Sequence, residues 1–522
     1  MNSANVNFSI TNLTYSVGGL LKGLSFVGGI TEKGPINKPE IIISSWTQFQ
    51  RIYGGLISNS DFPLMCKRAL EYGGALRIAR IAHYDDITDA STLTAVKATT
   101  TAFANSTPSN LFSLPLKYEG AYYNGIRSEV YAASNGNSAY FNLKIYHVTD
   151  STFETEIYEN LVIPGHPTVN NSHYLDKVIK SSQVVNVTYN DLSGLSGTLR
   201  PSNVVKTYSG GDDGDPVVVG DYIGDSGTKT GIHAFDDYSD AKQMGFPEVS
   251  DSSLHVAGSA YAASRKDLQY FAHLDNASNT AALLITDRQG TNIDSMYTAF
   301  FAGGVKCLDP VTNLTKEISE LGDVFGICAY SESVSKPWLS FAGTNRGKLL
   351  NALGVVNNFG TPALRADINL LSNAQINVVV NSDNQLYLSG NFSAQLGQDA
   401  LSFNNAVRLL IYQQKVLGPV LKRFLEEPCD IPLFKKIFYT VKPWLDSLVT
   451  DRALFSYSWM GDQDVKKIED VQINTLPNLQ LGKYKVRLFQ KIIPSLQEIT
   501  IDIVVTALDV EFSIAAALPA GV

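Results

Sequence analysis

Few residues in this chain of 522 are spaced for chemistry, and each candidate has a plainer reading beside it. Gly343-Thr-Asn-Arg-Gly-Lys348 invites comparison with a phosphate-binding loop. Such a loop needs four residues between its glycines and a Ser or Thr after the lysine; here there are three, followed by Leu349. A loop entering a helix fits better. Gly210-Gly-Asp-Asp-Gly-Asp215 offers the oxygen ligands that Ca²⁺ takes, but no glutamate follows at the EF-hand distance, so an acidic turn is expected. His166 and His173 are the closest pair of the seven histidines and lie in a polar, Pro-flanked loop without further ligands at metal spacing. There is no Gly-x-Ser-x-Gly elbow. Cys66, Cys307, Cys328 and Cys429 are far apart with no CxxC pair, and read as buried thiols in a protein folded in a reducing compartment. A Cys nucleophile beside a His stays open, although the apolar surroundings of Cys307 and Cys328 favour core thiols. The expectation is therefore no catalytic residue, no metal and no cofactor.

The elements that would have to position any site are those of several domains, since the chain is too long for one core. Hydrophobic residues make up 44% and charged residues only 17%, so Asn, Ser, Thr and Gly must form much of the surface. A surface short of charge repulsion suits subunits that pack against their own kind. The net charge of −9 argues against a whole-chain nucleic-acid binder. The first residues lack a signal-peptide pattern, and no run of 18 apolar residues suggests a membrane span. A protein made in the cytoplasm is expected, without direct membrane insertion.

Val6 to Thr11 alternates strictly and predicts a half-buried strand. Gly18, Gly19 and Gly23 then loosen the chain before a strand beginning at Leu24, and an apolar run follows at Ile41 to Ile43. Ser45 caps a predicted helix with Trp46, Phe49, Ile52 and Tyr53 on one face, stopped by Gly54-Gly55. A second helix starts at Asp61 and Pro63 and ends at Gly73-Gly74, before a strand over Leu76 to Ile81. From about 95 to 200 the alternating runs Tyr140 to Tyr146 and Val184 to Tyr189 predict a β-domain. Between 205 and 360, strand-like Ala281 to Thr286 and Val324 to Tyr330 flank a helix expected near Ser295 to Ala302, a βαβ pattern. Phe403 to Leu417 predicts an amphipathic helix that Gly418-Pro419 kinks or breaks before Val420 to Leu425. Phe434, Ile437, Phe438, Val441, Leu445 and Leu448 recur at helical spacing. Ile499, Ile501, Ile503 and Val505 share one strand face, after which the phase flips to Leu508, Val510, Phe512 and Ile514. The fold class is multidomain, α/β plus β. A patterned strand at either end closes its own sheet or is donated to a neighbour, and the pattern leaves both open.

An ordered series of short motifs narrows this. Phe26-Val-Gly28, Gly34-Pro-Ile-Asn-Lys-Pro39, Ile41 to Trp46, Tyr53-Gly54 and Glu71-Tyr-Gly-Gly74 precede Arg77 to Ile81. Gly210 to Gly214, Asp221-Tyr-Ile-Gly224, Thr230-Gly231, Lys336-Pro-Trp338, Ala342-Gly343 and Arg346-Gly347 follow. Ala374 to Asn377, Phe403 to Leu409 and Glu427-Pro428 before Leu433-Phe434 complete it. In type and order this series resembles the contractile tail-sheath family over most of the chain, weakest from 90 to 200 and at the far C-terminus. Tyr387 to Asn391 and Glu426 to Cys429 depart from the family's usual wording, as in a distant branch.

The resemblance implies a structural subunit stacked in six-membered rings around an inner tube, which contracts from a metastable extended state to drive the tube through a target envelope. The core would combine 24–90 with 361–522, with a β-rich outer domain at 91–204 and an α/β domain at 205–360 inserted. Residues 1–23 would be an exchange strand and linker. Val6, Phe8 and Ile10, with Leu508, Val510, Phe512 and Ile514, would dock into neighbouring subunits, and Gly18, Gly19 and Gly23 would act as the hinge. Between 403 and 452 eight basic residues face five acidic ones, so Lys422, Arg423, Lys435, Lys436 and Lys442 are candidates for gripping an acidic tube. The implied partners are further copies of the chain, an inner tube protein, and baseplate and terminator proteins, in a virion tail or injection particle assembled in the bacterial cytoplasm. A non-contractile surface or capsid-like protein, and an enzyme on the α/β domain, are the rival readings.

Overall fold

The computed structural model describes residues 23–106, 109–150, 153–164, 171–192, 199–397, 399–461 and 474–496. Strands β1 (Leu24–Gly29) and β2 (Ile42–Ile43), helices α1 (Trp46–Tyr53) and α2 (Phe62–Glu71), and β3 (Ala75–Arg80) come first. The Ser45 hydroxyl caps α1 by accepting the Gln48 N–H at 3.2 Å, and Gly54 ends that helix at φ +93°, where a side chain would be strained.

The chain then crosses into an outer unit made of β4 (Phe103–Ala104), β5 (Asn110–Ser113), β6 (Ile126–Ala132), β7 (Phe141–His147), β8 (Glu156–Leu161), α3 (Leu175–Val178), β9 (Thr188–Tyr189) and β10 (Val204–Thr207). It forms two antiparallel sheets, β10-β6-β7-β8 and β4-β5-β9, over a core of its own that includes stacked Phe103, Phe112 and Phe141. Within the alternating run Val184 to Tyr189, only Thr188–Tyr189 is strand, and Val185 makes a single bridge to Leu116. The neck of this unit is paired with itself. Val96 and Asp212 exchange backbone hydrogen bonds at 2.9 and 3.1 Å, and Thr99 and Ser209 do so at 2.9 and 3.0 Å.

The body resumes with α4 (Val219–Ile223), β11 (Gln243–Gly245), α5 (Ser252–Arg265), β12 (Gln269–His273), α6 (Ala281–Gly290), β13 (Thr298–Ala302), β14 (Val305–Leu308), β15 (Thr315–Ile318), α7 (Leu321–Val334), α8 (Gly343–Arg346), β16 (Gly354–Val355), α9 (Arg365–Asn373), β17 (Ile376–Ser382) and β18 (Gln385–Ser389). One eight-stranded sheet organises it, in the order β18-β17-β13-β12-β11-β1-β3-β2, parallel except at its two antiparallel edges. Apolar cores cover both faces, one containing residues of α5 and α6, the other residues of α1, α2 and α7. The sheet draws on residues 24–90, 205–360 and the start of 361–522 together. The division at 360 therefore separates β17 and β18 from the sheet they complete, and the division at 204 cuts β10, which pairs with β6.

Three expectations in this region are reversed. Ala281 to Thr286 is the start of helix α6, capped by the Thr280 hydroxyl, with a buried stripe of Ala281, Leu284 and Arg288. Val324 to Tyr330 lies in α7, which is buried nearly all round and so shows neither helical nor strand periodicity. The helix expected near Ser295 to Ala302 is strand β13, buried at all five positions in the middle of a parallel sheet.

The C-terminal unit contains α10 (Asn404–Leu421), α11 (Ile431–Thr450), β19 (Leu454–Met460), α12 (Leu476–Gln480) and β20 (Arg487–Ile492). Pro419 does not break α10, which ends two residues later and tightens to a 3₁₀ turn at Lys422–Phe424. A proline in the last turn already has helical φ and forfeits a single N–H bond, so the helix tolerates it. Helix α11 buries Phe434, Ile437, Val441, Leu445 and Leu448 of the predicted stripe and leaves its sixth member, Phe438, half-buried.

Candidate assembly surfaces

Among the described residues, one surface with free strand edges is a ribbon in the C-terminal unit. β19 and β20 pair antiparallel, with a bulge between Leu454 and Ser456, and among the described residues neither strand has a second neighbour. Its inner face rests on the helices. Trp459 packs 5.8 Å from Phe438, Tyr457 donates to Asp446 at 2.6 Å, and the side-chain amides of Gln490 and Gln413 bond at 2.9 Å. Its outer face carries Phe489 and, at the bulge, Phe455, which is 73% exposed. A two-stranded ribbon is marginal alone, and its free edges are templates for further strands.

The candidate exchange residues Val6, Phe8, Ile10, Leu508, Val510, Phe512 and Ile514, and the hinge residues Gly18 and Gly19, lie outside the described residues. Gly23 lies within them and is held. Its N–H donates to Glu332 at 2.9 Å, its carbonyl accepts from Ala75 at 3.2 Å, and a Cβ there would sit 2.3 Å from that of Ala329. Its positive φ of 67° favours glycine in the turn that these contacts hold.

The basic cluster is thinner than its count. Arg408 and Lys415, two of the eight positive charges, are buried and paired with Glu332 and Asp267. Six remain against five acidic residues, a surplus of one. Lys435 and Lys436 are exposed on α11, and the Lys436 ammonium lies 5.8 Å from the Phe424 ring. Lys442 pairs with Asp446 at 2.6 Å, while Lys422 and Arg423 are exposed in the 3₁₀ turn.

The chemical motifs resolve as structure. Gly343–Arg346 is one short helical turn. In the acidic turn, Asp213 accepts from Arg80 and from the Ala121 N–H. Among the described residues no three His, Cys, Asp or Glu side chains converge as a metal site, and no helix is long and apolar enough to cross a membrane. His173 is described without a metal partner set, and His166 lies outside the described residues. Cys66, Cys307 and Cys328 are buried as expected, and burial pushes the Cys328 thiol up to about 12. Cys429 departs from that expectation, lying half-exposed just before α11.

Three polar joints escaped the reading of motifs. In the first, the Asp323 carboxylate takes a bidentate pair of bonds from Arg68, both at 2.7 Å, and a third from Tyr72 at 2.8 Å, locking α2 to α7. Burial alone would lower the Arg68 pKa, but the Asp323 carboxylate raises it. In the second, Glu332 receives Lys242 at 2.7 Å and Arg408 at 2.5 Å. Burial would raise the Glu332 carboxyl, yet these two cations hold it below the usual carboxylate range. In the third, Lys33 donates to Tyr122 at 2.9 Å and Tyr122 to Asp150 at 2.6 Å, which fastens the outer unit to the body. The signal for the first two was an Asp and a Glu inside the largely apolar run from Leu321 to Val334, since buried charge demands a partner.

A three-layered helix–sheet–helix body, an outer β unit on a paired neck and a two-stranded ribbon make up the fold of contractile-tail sheath proteins. The resemblance read from the ordered motifs is borne out by sequence and by structure. The tail sheath protein of Vibrio phage KVP40 is 23% identical over 383 residues, 61% of this chain and 55% of that protein. That of Enterobacteria phage T4 is 35% identical over 82 residues, 15% of this chain and 12% of that protein. The chain thus spans about half the length of the first of these relatives and much less of the second. The sheath tail protein from Listeria innocua superposes with a TM-score of 0.58 at 13% identity, covering 90% of this chain and 95% of that one. The contracted helical sheath of the anti-feeding prophage gives 0.55 at 10% identity, covering 96% and 98%. The contracted PVC sheath of an extracellular contractile injection system gives 0.53 at 11%, covering 97% and 98%. At these identities the likeness is one of fold. No protein-family model matches the sequence.

Proposed function

We propose that this chain is the repeating subunit of a contractile sheath, which polymerises around an inner tube and shortens from a metastable extended state to drive that tube through a target envelope. The observation that carries the reading is the superposition on sheath subunits over nearly the whole chain, together with a ribbon whose outer edges are unpaired among the described residues. Strands from neighbouring copies, one led by Val6, Phe8 and Ile10 and another by Leu508, Val510, Phe512 and Ile514, would add to β19 and β20 by main-chain pairing. Lys422 and Arg423 in the turn after α10, with Lys435, Lys436 and Lys442 on α11, would face the tube. Baseplate and terminator proteins would meet the ends of the sleeve, in a virion tail or injection particle. The work would come from free energy stored at assembly, so no nucleotide or cofactor is required. Electron microscopy of the purified chain, alone and with its tube protein, tests this. Rings and hollow sleeves are the expected result; a stable monomer at all concentrations and with tube would overturn it.

A further inference from the structure

We infer that the Glu332 carboxylate anchors the root of the N-terminal segment to the C-terminal unit, so that tension on that segment reaches the ribbon through one buried ionic joint. The inference rests on the strand-exchange reading above for the source of the tension, but the joint itself is geometric. Four segments meet at this carboxylate. Gly23, just before β1, donates its N–H to Oε2 at 2.9 Å. Lys242, just before β11, donates Nζ to the same oxygen at 2.7 Å. Arg408, in α10, donates Nη2 to Oε1 at 2.5 Å. Glu332 itself stands in the last turn of α7, where the helix dipole favours cations and the two basic groups supply them.

The joint is built to hold. Glu332, Lys242 and Arg408 are 2%, 5% and 2% exposed at their side chains, so opening it would strand charge in an apolar interior. A surface pair would instead exchange its partner for water and slip. Arg408 is fixed further by the Pro337 carbonyl at 3.3 Å and by the Gln243 side chain at 3.4 Å. Beyond Arg408 the route is continuous. Helix α10 carries Gln413, which bonds Gln490 of β20 at 2.9 Å, and β20 is one strand of the open ribbon. The root of the donated segment and the edge that receives a neighbour's strand are therefore linked inside one subunit by Gly23, Glu332, Arg408, α10 and Gln413.

The test uses the full chain carrying Glu332→Leu, Lys242→Met and Arg408→Met together. Replacing a buried ionic triad by apolar side chains of similar size preserves folding in general, while here it removes the acceptor of the Gly23 N–H. Hydrogen exchange over residues 23 to 25 is expected to rise about tenfold, since a charge-assisted bond is lost. Sleeves of the variant should assemble extended and shorten incompletely. Root exchange at the wild-type rate, or sleeves that contract fully, would overturn the inference. Should the triple variant not fold, Glu332→Gln keeps size and an acceptor oxygen but no charge, and should speed root exchange about threefold; an unchanged rate there also overturns it. A wild-type chain that forms no sleeves removes the strand-exchange reading, and the exchange rates still decide whether Glu332 holds the root.

Discussion

At the scale of single residues, stability turns on charges that the fold has taken out of water. Asp323 is fully buried and serves Arg68 and Tyr72 at once. Asp323→Ala should destabilise the body by about 3–5 kcal/mol, because the Arg68 guanidinium is left unpaired in the interior; urea unfolding measures this, and a loss below 1 kcal/mol would contradict it. His83 gives a pH dependence of known sign. Its Nδ1 lies 2.9 Å from the Asp221 carboxylate, and that bond raises the imidazole pKa above its ordinary value. A group with a raised folded-state pKa adds stability that is complete below its unfolded pKa, near 6.5, and fades as pH rises through the folded one. Thermal melts should therefore fall in midpoint from pH 6 to 8 by more in the wild type than in His83→Asn. Equal slopes would remove His83 from the account. Such pairs were only half legible in the sequence. The Ser45 cap and the Gly54 stop could be read because local rules fix them, whereas Asp323 and Glu332 acquire their partners across 255 and 76 positions.

At the scale of elements, what could be read was what has one wet face. Helix α11 showed its stripe because its other side is exposed, and β7 showed its alternation because Lys144 and Tyr146 on its second face are only partly buried. Helix α7 and strand β13 are buried on every side, so no period remained to tell helix from strand; α6 keeps an exposed face, and its misreading as a strand has no such cause. On the proposed reading, the ribbon is the element whose completion matters for assembly. Deleting residues 506 to 522 should leave a folded monomer that does not polymerise, as sedimentation and microscopy would show; normal sleeves from the truncated chain would mean that this strand is not donated. Reversal of the exposed pair, Lys435→Glu with Lys436→Glu, should weaken binding to tube and leave the monomer's melting unchanged. The wild-type attachment should likewise weaken with salt, since exposed charges are screened within about 8–10 Å at physiological ionic strength. The near balance of charge on this face makes the expected loss modest, about tenfold or less. Attachment indifferent to both changes would place the contact elsewhere.

At the scale of the whole molecule, body and outer unit have separate cores and meet through a few polar contacts, chiefly those of Lys33 and Arg80. Replacing residues 97 to 211 by a short turn should therefore leave a soluble body with its eight-stranded sheet intact, measurable by circular dichroism and size-exclusion chromatography. Aggregation of a version that also carries Arg80→Leu, which removes the charge left without the Glu119 carbonyl, would show that the body depends on the outer unit after all. The paired crossing at Val96 and Asp212 also bears on descent and on engineering. Residues paired in this way lie about 5 Å apart, and many compact domains have termini close enough to be spliced across such a gap. Whatever is grafted there inherits a fixed platform and asks nothing of the machinery beneath it. On the proposed sheath reading, lineages that share one stroke would be free to diverge in coat, and a foreign domain should be displayed along the length of a sleeve without retuning how it moves.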